Sequence, residues 1–346
     1  MRALTVFNRA LIPGSASGPD AVHFPHAFAP LYDASQRTHL AIALKASFRL
    51  STGAPLPRAS QEQALLVDVH GVDGSLQTPA DIALGRTGTS VAVRGRIADS
   101  STEVALSVEV GPLSGRYRFS PNRIWARRGN GWEASERRDG SSHAQREFSW
   151  VSFFGGTDGD VTYGANPVGT GFVVVAERAE GRAIPALEEV GAEIQEPLAR
   201  GRATLPSFLP AHWEDRRALF PFDDSRRGDA LSWPENLDPR FFDVVPQCWV
   251  QRPFFRGGEP IRISGLVTAA SPSGAPMLCT SSIPRRAFRL VYGHKTVPMD
   301  LTIVRIEPAE DLIVLTFAAT VRRSFTSTDA PPIQIVEKRV VERAEP

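Results

Sequence analysis

The chain has 346 residues, 42% hydrophobic and 22% charged, and its 39 basic and 38 acidic residues leave a formal net charge of +1. Such a composition can bury a sizeable core, as one large β domain or two ordinary ones. It offers no global field to draw the protein onto nucleic acid or an anionic membrane, so neither is expected as a partner.

The first twenty residues, MRALTVFNRALIPGSASGPD, contain one short apolar run broken by Asn8 and Arg9, too interrupted for a secretory signal. No later stretch approaches the roughly 18 uninterrupted apolar residues of a membrane-spanning helix. A cytoplasmic protein without membrane insertion is expected. The 28 prolines and 28 glycines are spread along the chain and leave few windows of helix length.

Between these breakers, HLAIALKASFRL (39–50), TSVAVRGRIA (89–98), VALSVEV (104–110) and GRYRFS (115–120) alternate apolar and polar residues as strands with one buried face do. RIWARRGNGW (123–132) interleaves Arg with aromatics, as a single-strand nucleic-acid binder would. Arginines packed on rings or paired with acids produce the same pattern more often. The stretch FFGGTDGDVTYGANPVGTGF (153–172) holds six glycines and leads into an apolar run, FVVVA, expected to be a strand. PALEEVGAEIQ (185–195) is the one helix candidate of any length, with a weak stripe of Leu187, Val190 and Ile194.

From 196 to 240 the alternation stops and the chain is rich in Pro, Arg and aromatics, among them Trp213, Phe220, Phe222, Trp233, Phe241 and Phe242. Each contributes about 1.5–3 kcal/mol when fully buried, so an ordered segment is expected rather than a floppy linker. Strand patterns return in CWVQRPFF, EPIRISGLV, RAFRLVYG, VPMDLTIVRIEP and DLIVLTFAATVRR. The predicted fold is mainly β: two antiparallel β lobes, sandwich or barrel-like, with few helices. An N-terminal lobe at 1–195 and a C-terminal lobe at 241–346 flank the segment 196–240.

The glycine-rich stretch fits no phosphate loop, because it has neither the Lys followed by Ser or Thr nor the dinucleotide spacing. Asp158 and Asp160 resemble the start of a calcium loop, but Tyr163, Gly164 and Ala165 cannot supply its later carboxylates. No G-x-S-x-G elbow occurs, and the seven histidines show no i, i+4 pairing. Cys248 and Cys279 have no ligand neighbours at metal spacing and are expected to be buried thiols. Neither Glu188 with Glu189 nor Asp223 with Asp224 can face one substrate from an extended chain. No catalytic, metal or cofactor-binding residue is therefore assigned, and the chain is expected not to be an enzyme.

The same stretch resembles a bacterial family catalogued as domain of unknown function 2169, whose signature is A-F-G-G-x-D followed by N-P-x-G-x-G-F. Phe154, Gly155, Gly156 and Asp158 match the first part; Asn166, Pro167, Gly169, Gly171 and Phe172 match the second. TPADIAL (78–84), NRIW (122–125), HWEDR (212–216), DPRFF (238–242) and RGGEPIRISGL (256–266) fall in the family order, over roughly residues 20–325. Arg86 and Ser90 stand where family members usually carry Lys and Asp, and FPFDD replaces a Gly-Thr-Tyr-Asp segment.

The resemblance implies a place in type VI secretion gene clusters: an adaptor that binds a toxin effector or its PAAR-like tip domain and helps load it onto the secretion spike. The signature residues, with Trp125, Trp213, Arg216 and Glu259, are the candidates for partner contact. The loop is either a recognition site or a structural corner; as a corner, it should lose stability in Gly171→Val and keep it nearly unchanged in Asp158→Ala. Glu259 should accept backbone or Arg hydrogen bonds where a strand begins. Two other readings are a structural baseplate or spike component, and a carbohydrate-binding or carbohydrate-active protein with Trp125, Trp132 and Trp213 along a groove.

Overall fold

The computed structural model describes residues 12–13, 25–32, 38–50, 59, 63, 68–70, 76–83, 85–98, 103–136, 146–202, 204–220, 237–269, 278–322 and 333–338. In the first half of the chain the strands are β1 (Ile12–Pro13), β2 (His26–Tyr32), β3 (Thr38–Arg49), β4 (Val69–His70), β5 (Leu76–Thr78), β6 (Thr89–Val93), β7 (Val104–Val110), β8 (Leu113–Phe119), β9 (Arg123–Arg128) and β10 (Gly131–Glu136). Then come β11 (Phe154–Gly155), β12 (Thr157–Asp158), β13 (Val161–Thr162), β14 (Thr170–Gly171) and β15 (Leu187–Glu189). The rest are β16 (Val250–Gln251), β17 (Pro260–Ser264), β18 (Cys279–Ser282), β19 (Ala287–Tyr292), β20 (Lys295–Glu307), β21 (Leu312–Arg322) and β22 (Ile333–Lys338).

Two sheets dominate. The larger runs β1-β2-β3-β21-β20-β19-β22, with β6 parallel to β20 and β16 antiparallel to β6; the smaller runs β15-β8-β7-β17-β18, all antiparallel. Among the described residues neither closes into a barrel. VALSVEV forms β7 with the alternating burial its sequence implies, Val104, Leu106, Val108 and Val110 inward. β3, between β2 and β21, is covered on both faces, and every residue from Leu40 to Phe48 is buried. One continuous core unites Phe48, Val304 and Phe317 of the large sheet with Val108, Phe119 and Ile263 of the small one.

The mainly β, antiparallel character agrees with the sequence pattern. The boundaries 1–195, 196–240 and 241–346 do not separate the sheets, since β3 pairs β21 and β7 pairs β17. Alternation shows which face of a strand is apolar and carries no information about its neighbour. Residues 185–195 form no helix: β15 pairs β8, and a turn follows at Gly191, whose φ is +88°.

The described part of the 196–240 segment is ordered against the core, with Phe208, Leu209 and Trp213 buried and one helical turn, α1 (Glu214–Arg217), and Phe241 and Phe242 just beyond it are buried too. Phe222, Asp223, Asp224 and Trp233 lie outside the described residues. Cys279 is buried as expected, but Cys248 is exposed, because the turn Gln247–Trp249 spends its inward position on Trp249. Among the described residues no helix is long and apolar enough to cross a membrane.

Candidate functional site

The signature stretch folds into two small ribbons. β11 lies parallel to β14, Phe154 opposite Thr170 and Gly155 opposite Gly171, while β12 and β13 form a hairpin turning at Gly159 and Asp160. The ribbon of β11 and β14 depends on backbone that a side chain would obstruct. Gly171 has φ +99°, and a Cβ there would lie 2.6 Å from Pro185 Cδ; a Cβ on Gly155 would collide with the backbone oxygen of Asn166. FVVVA does not continue as a strand: Phe172 and Val173 are buried, and Val174 and Val175 face out.

Asn166 is the peg of the loop. It is 1% exposed, and its Nδ2 donates to Trp150 O and Phe154 O, each at 2.9 Å, while its own backbone oxygen accepts from Gly156 N. Pro167 disfavours a helical backbone at Asn166, and through its side chain this one residue ties both flanks together. The chain of contacts continues inward: the Trp150 indole meets Trp213 edge-on at 5.6 Å, and Glu214 N donates to Gly164 O. Arg216 follows in α1, donating through Nε and Nη2 to Phe241 O and through Nη1 to Leu209 O, with its guanidinium 5.1 Å from the Phe241 ring. Burial lowers its pKa to about 10. Three sequence landmarks, NPVGTGF, HWEDR and DPRFF, thus form one buried spine.

Asp158 corrects an expectation. It is 2% exposed, accepts from Val174 N and from Arg182 Nη2, each at 2.9 Å, and has Arg178 Nη1 at 3.5 Å. Its carboxylate is committed to the loop, so Asp158→Ala should lower the thermal midpoint by several degrees rather than leave it unchanged. The Val174 N–H, then the two guanidiniums, hold its pKa below the ordinary carboxylate value. A carboxylate with a depressed folded-state pKa stabilises fully above its unfolded pKa and loses that contribution as pH falls through the folded one. Melting curves of Asp158→Asn should therefore fall less steeply than wild type on the acid side; an unchanged acid limb would contradict this role.

The remaining candidates divide between two places. Trp125 is 2% exposed in a small cluster with Phe154, Phe172, Val173 and Ile184, while Trp213 belongs to the main core. Both tryptophans are occupied in packing, so the three-tryptophan groove of the carbohydrate reading does not form. Tyr163 joins Phe154 and Phe172 by ring contacts at 5.0 and 5.5 Å, and Pro167 and Gly169 complete the turn into β14. Glu259 stands apart at the start of β17, where its Oε1 accepts from Arg256 N at 2.9 Å. Of the two adjacent glutamates, Glu188 is buried against Arg123 and Ile194 N.

Two buried groups lay outside the sequence-based candidates. Lys45 and Asp81 pair at 2.7 Å, both 2% exposed, with Thr316 Oγ1 donating to Asp81. Arg86 donates to Phe242 O and, at 2.9 Å, to Ala80 O, joining TPADIAL to DPRFF. The landmark Asp81 was the available signal for the first. Nothing local announced either partner.

No curated protein and no solved structure matches the chain. Residues 35–318 match the family described as an uncharacterized protein conserved in bacteria (DUF2169). The match takes in the loop, the spine, the whole smaller sheet and β3, β6, β16, β19, β20 and most of β21 of the larger one, and the chain belongs to that family.

Proposed function

We propose that this chain is a non-enzymatic accessory protein of type VI secretion, an adaptor that binds a toxin effector or its PAAR-like domain in the cytoplasm and helps load it onto the spike. The observation that carries this reading is the outer face of the signature loop. Its polar side chains, Asp158 and Asn166, are spent inside the protein, yet Val161, Val174 and Val175 remain 48%, 37% and 41% exposed. Val161 is paired with Asp158 across the hairpin, and Val174 N bonds the Asp158 carboxylate, so these valines share a rigid patch. A firmly held apolar patch on a polar surface suits protein contact.

Val161→Asp combined with Val174→Asp should weaken binding to the effector encoded beside this chain's gene at least tenfold in a pull-down titration, with the melting temperature of the adaptor unchanged. Deleting the gene should stop secretion of that effector alone. Loss of all secretion would identify a structural component of the machine instead.

A further inference from the structure

Five asparagines occur in the chain, and they precede Arg9, Arg123, Gly131, Pro167 and Leu237. The next residue matters because its backbone nitrogen can attack the asparagine side chain. A glycine leaves that nitrogen unshielded and its backbone free to turn, whereas a proline has no N–H to give up. Asn130 is the one that precedes glycine, and it stands at the tip of the β9–β10 hairpin. Arg128 pairs with Gly131, so the loop is two residues long, and Gly129 supplies the positive φ, +56°, that such a tight loop needs. Asn130 and both flanking glycines are exposed; a Cβ on Gly129 would meet nothing within 4 Å, and one on Gly131 would meet Arg128 O at 3.9 Å. Below the tip the ribbon is fastened down: Trp125 N donates to Arg182 O and Ile184 N to Arg123 O, each at 2.9 Å, and Arg127 N donates to Glu180 Oε2 at 2.8 Å. The other two described asparagines are enclosed, Asn166 between its two carbonyl partners and Asn122 with its Oδ1 buried.

We infer that Asn130 is a site of spontaneous deamidation, a modification that turns the tip of this ribbon from a neutral amide into a carboxylate. The Gly131 amide nitrogen loses its proton to hydroxide and bonds to Asn130 Cγ; the Cγ–Nδ2 bond breaks, ammonia leaves, and a succinimide ring remains. Water then adds to one of the two ring carbonyls. Addition at Cγ breaks the new bond to nitrogen and leaves aspartate in an ordinary backbone. Addition at the backbone carbonyl breaks the original peptide bond and leaves isoaspartate, with the chain running through the side chain. Either product places a negative charge two residues from Arg128, which pairs with Glu133, and takes the formal net charge of the protein from +1 to zero. Because the ribbon is fastened below its tip, the change alters the charge and course of the loop and leaves the fold in place.

The test follows the full, folded chain during storage at mildly alkaline pH, which deprotonates more of the Gly131 amide, with peptic peptides taken at intervals for mass spectrometry. The peptide holding Asn130 should gain about 1 Da, the difference between an amide and an acid, and part of it should become a substrate for an isoaspartyl methyltransferase. Conversion at Asn130 should run at least tenfold faster than at Asn122, with Asn166 intact. Gly131→Ala, whose Cβ enters open space, should slow conversion at least tenfold without moving the melting temperature. A synthetic peptide of residues 127–133 supplies the unrestrained rate, and the folded chain should come within tenfold of it. Asn130 still intact when the free peptide has converted would show that the turn protects it and would overturn the inference. Equal rates at Asn122 and Asn130, or an unchanged rate in Gly131→Ala, would overturn it as well.

Discussion

Gly155→Val is expected to destabilise the protein more than any other single change in the signature loop. The new Cβ would meet the backbone oxygen of Asn166, which cannot rotate away, because Asn166 is fixed through Nδ2 to Trp150 O and Phe154 O. Overpacking costs about 1–3 kcal/mol and an unfavourable φ a similar amount, so a combined loss of about 4 kcal/mol is expected. Gly171→Val, at φ +99° and against the Pro185 ring, should cost about 1–3 kcal/mol, since a ring edge yields more readily than backbone. Gly129, with φ +56° and open space around it, supplies the control: valine there adds φ strain alone. Denaturant melts that place Gly129→Val above Gly155→Val in cost would show that the loop is not the packed corner described.

The second large effect lies in the core. Asp81→Ala should cost about 3–5 kcal/mol, because it leaves the Lys45 ammonium buried without its carboxylate. Burial already lowers the Lys45 pKa, and Asp81 opposes that shift. Removing both charges in Lys45→Met with Asp81→Leu should recover most of the loss, since an apolar pair of similar size needs no compensating charge. A double variant as unstable as Asp81→Ala alone would mean that packing volume, not charge, sets the cost.

The strands were legible in the sequence where one face is buried and the other is not. β7 coincides with VALSVEV and alternates in burial, whereas β20 and β21 follow apolar runs in which Leu301–Ile306 and Ile313–Phe317 are buried without alternation. Their pairing was not, because a period of two identifies a face and leaves the neighbour open; hence strands from both halves interleave in both sheets. FVVVA reads as a strand by composition, yet the Asp158 carboxylate captures Val174 N and the chain turns.

The loop's glycines announced a special backbone, and the Asn-Pro step announced an extended one. Asp158 could be seen in the motif, but its arginine partners lie twenty and twenty-four residues downstream, and spacing alone does not join them. Lys45 was hidden for a different reason: in an alternating strand it occupies a position that would normally face solvent, yet in β3 every residue from Leu40 to Phe48 is buried, on both faces.

The proposed adaptor function is tested most directly by isothermal titration of the purified, folded chain with a purified candidate effector encoded by a neighbouring gene. The account predicts saturable binding at a fixed stoichiometry, and no heat with effectors of unrelated clusters. A folded chain that gives no binding heat with that effector, at concentrations where a micromolar complex would be seen, would contradict it.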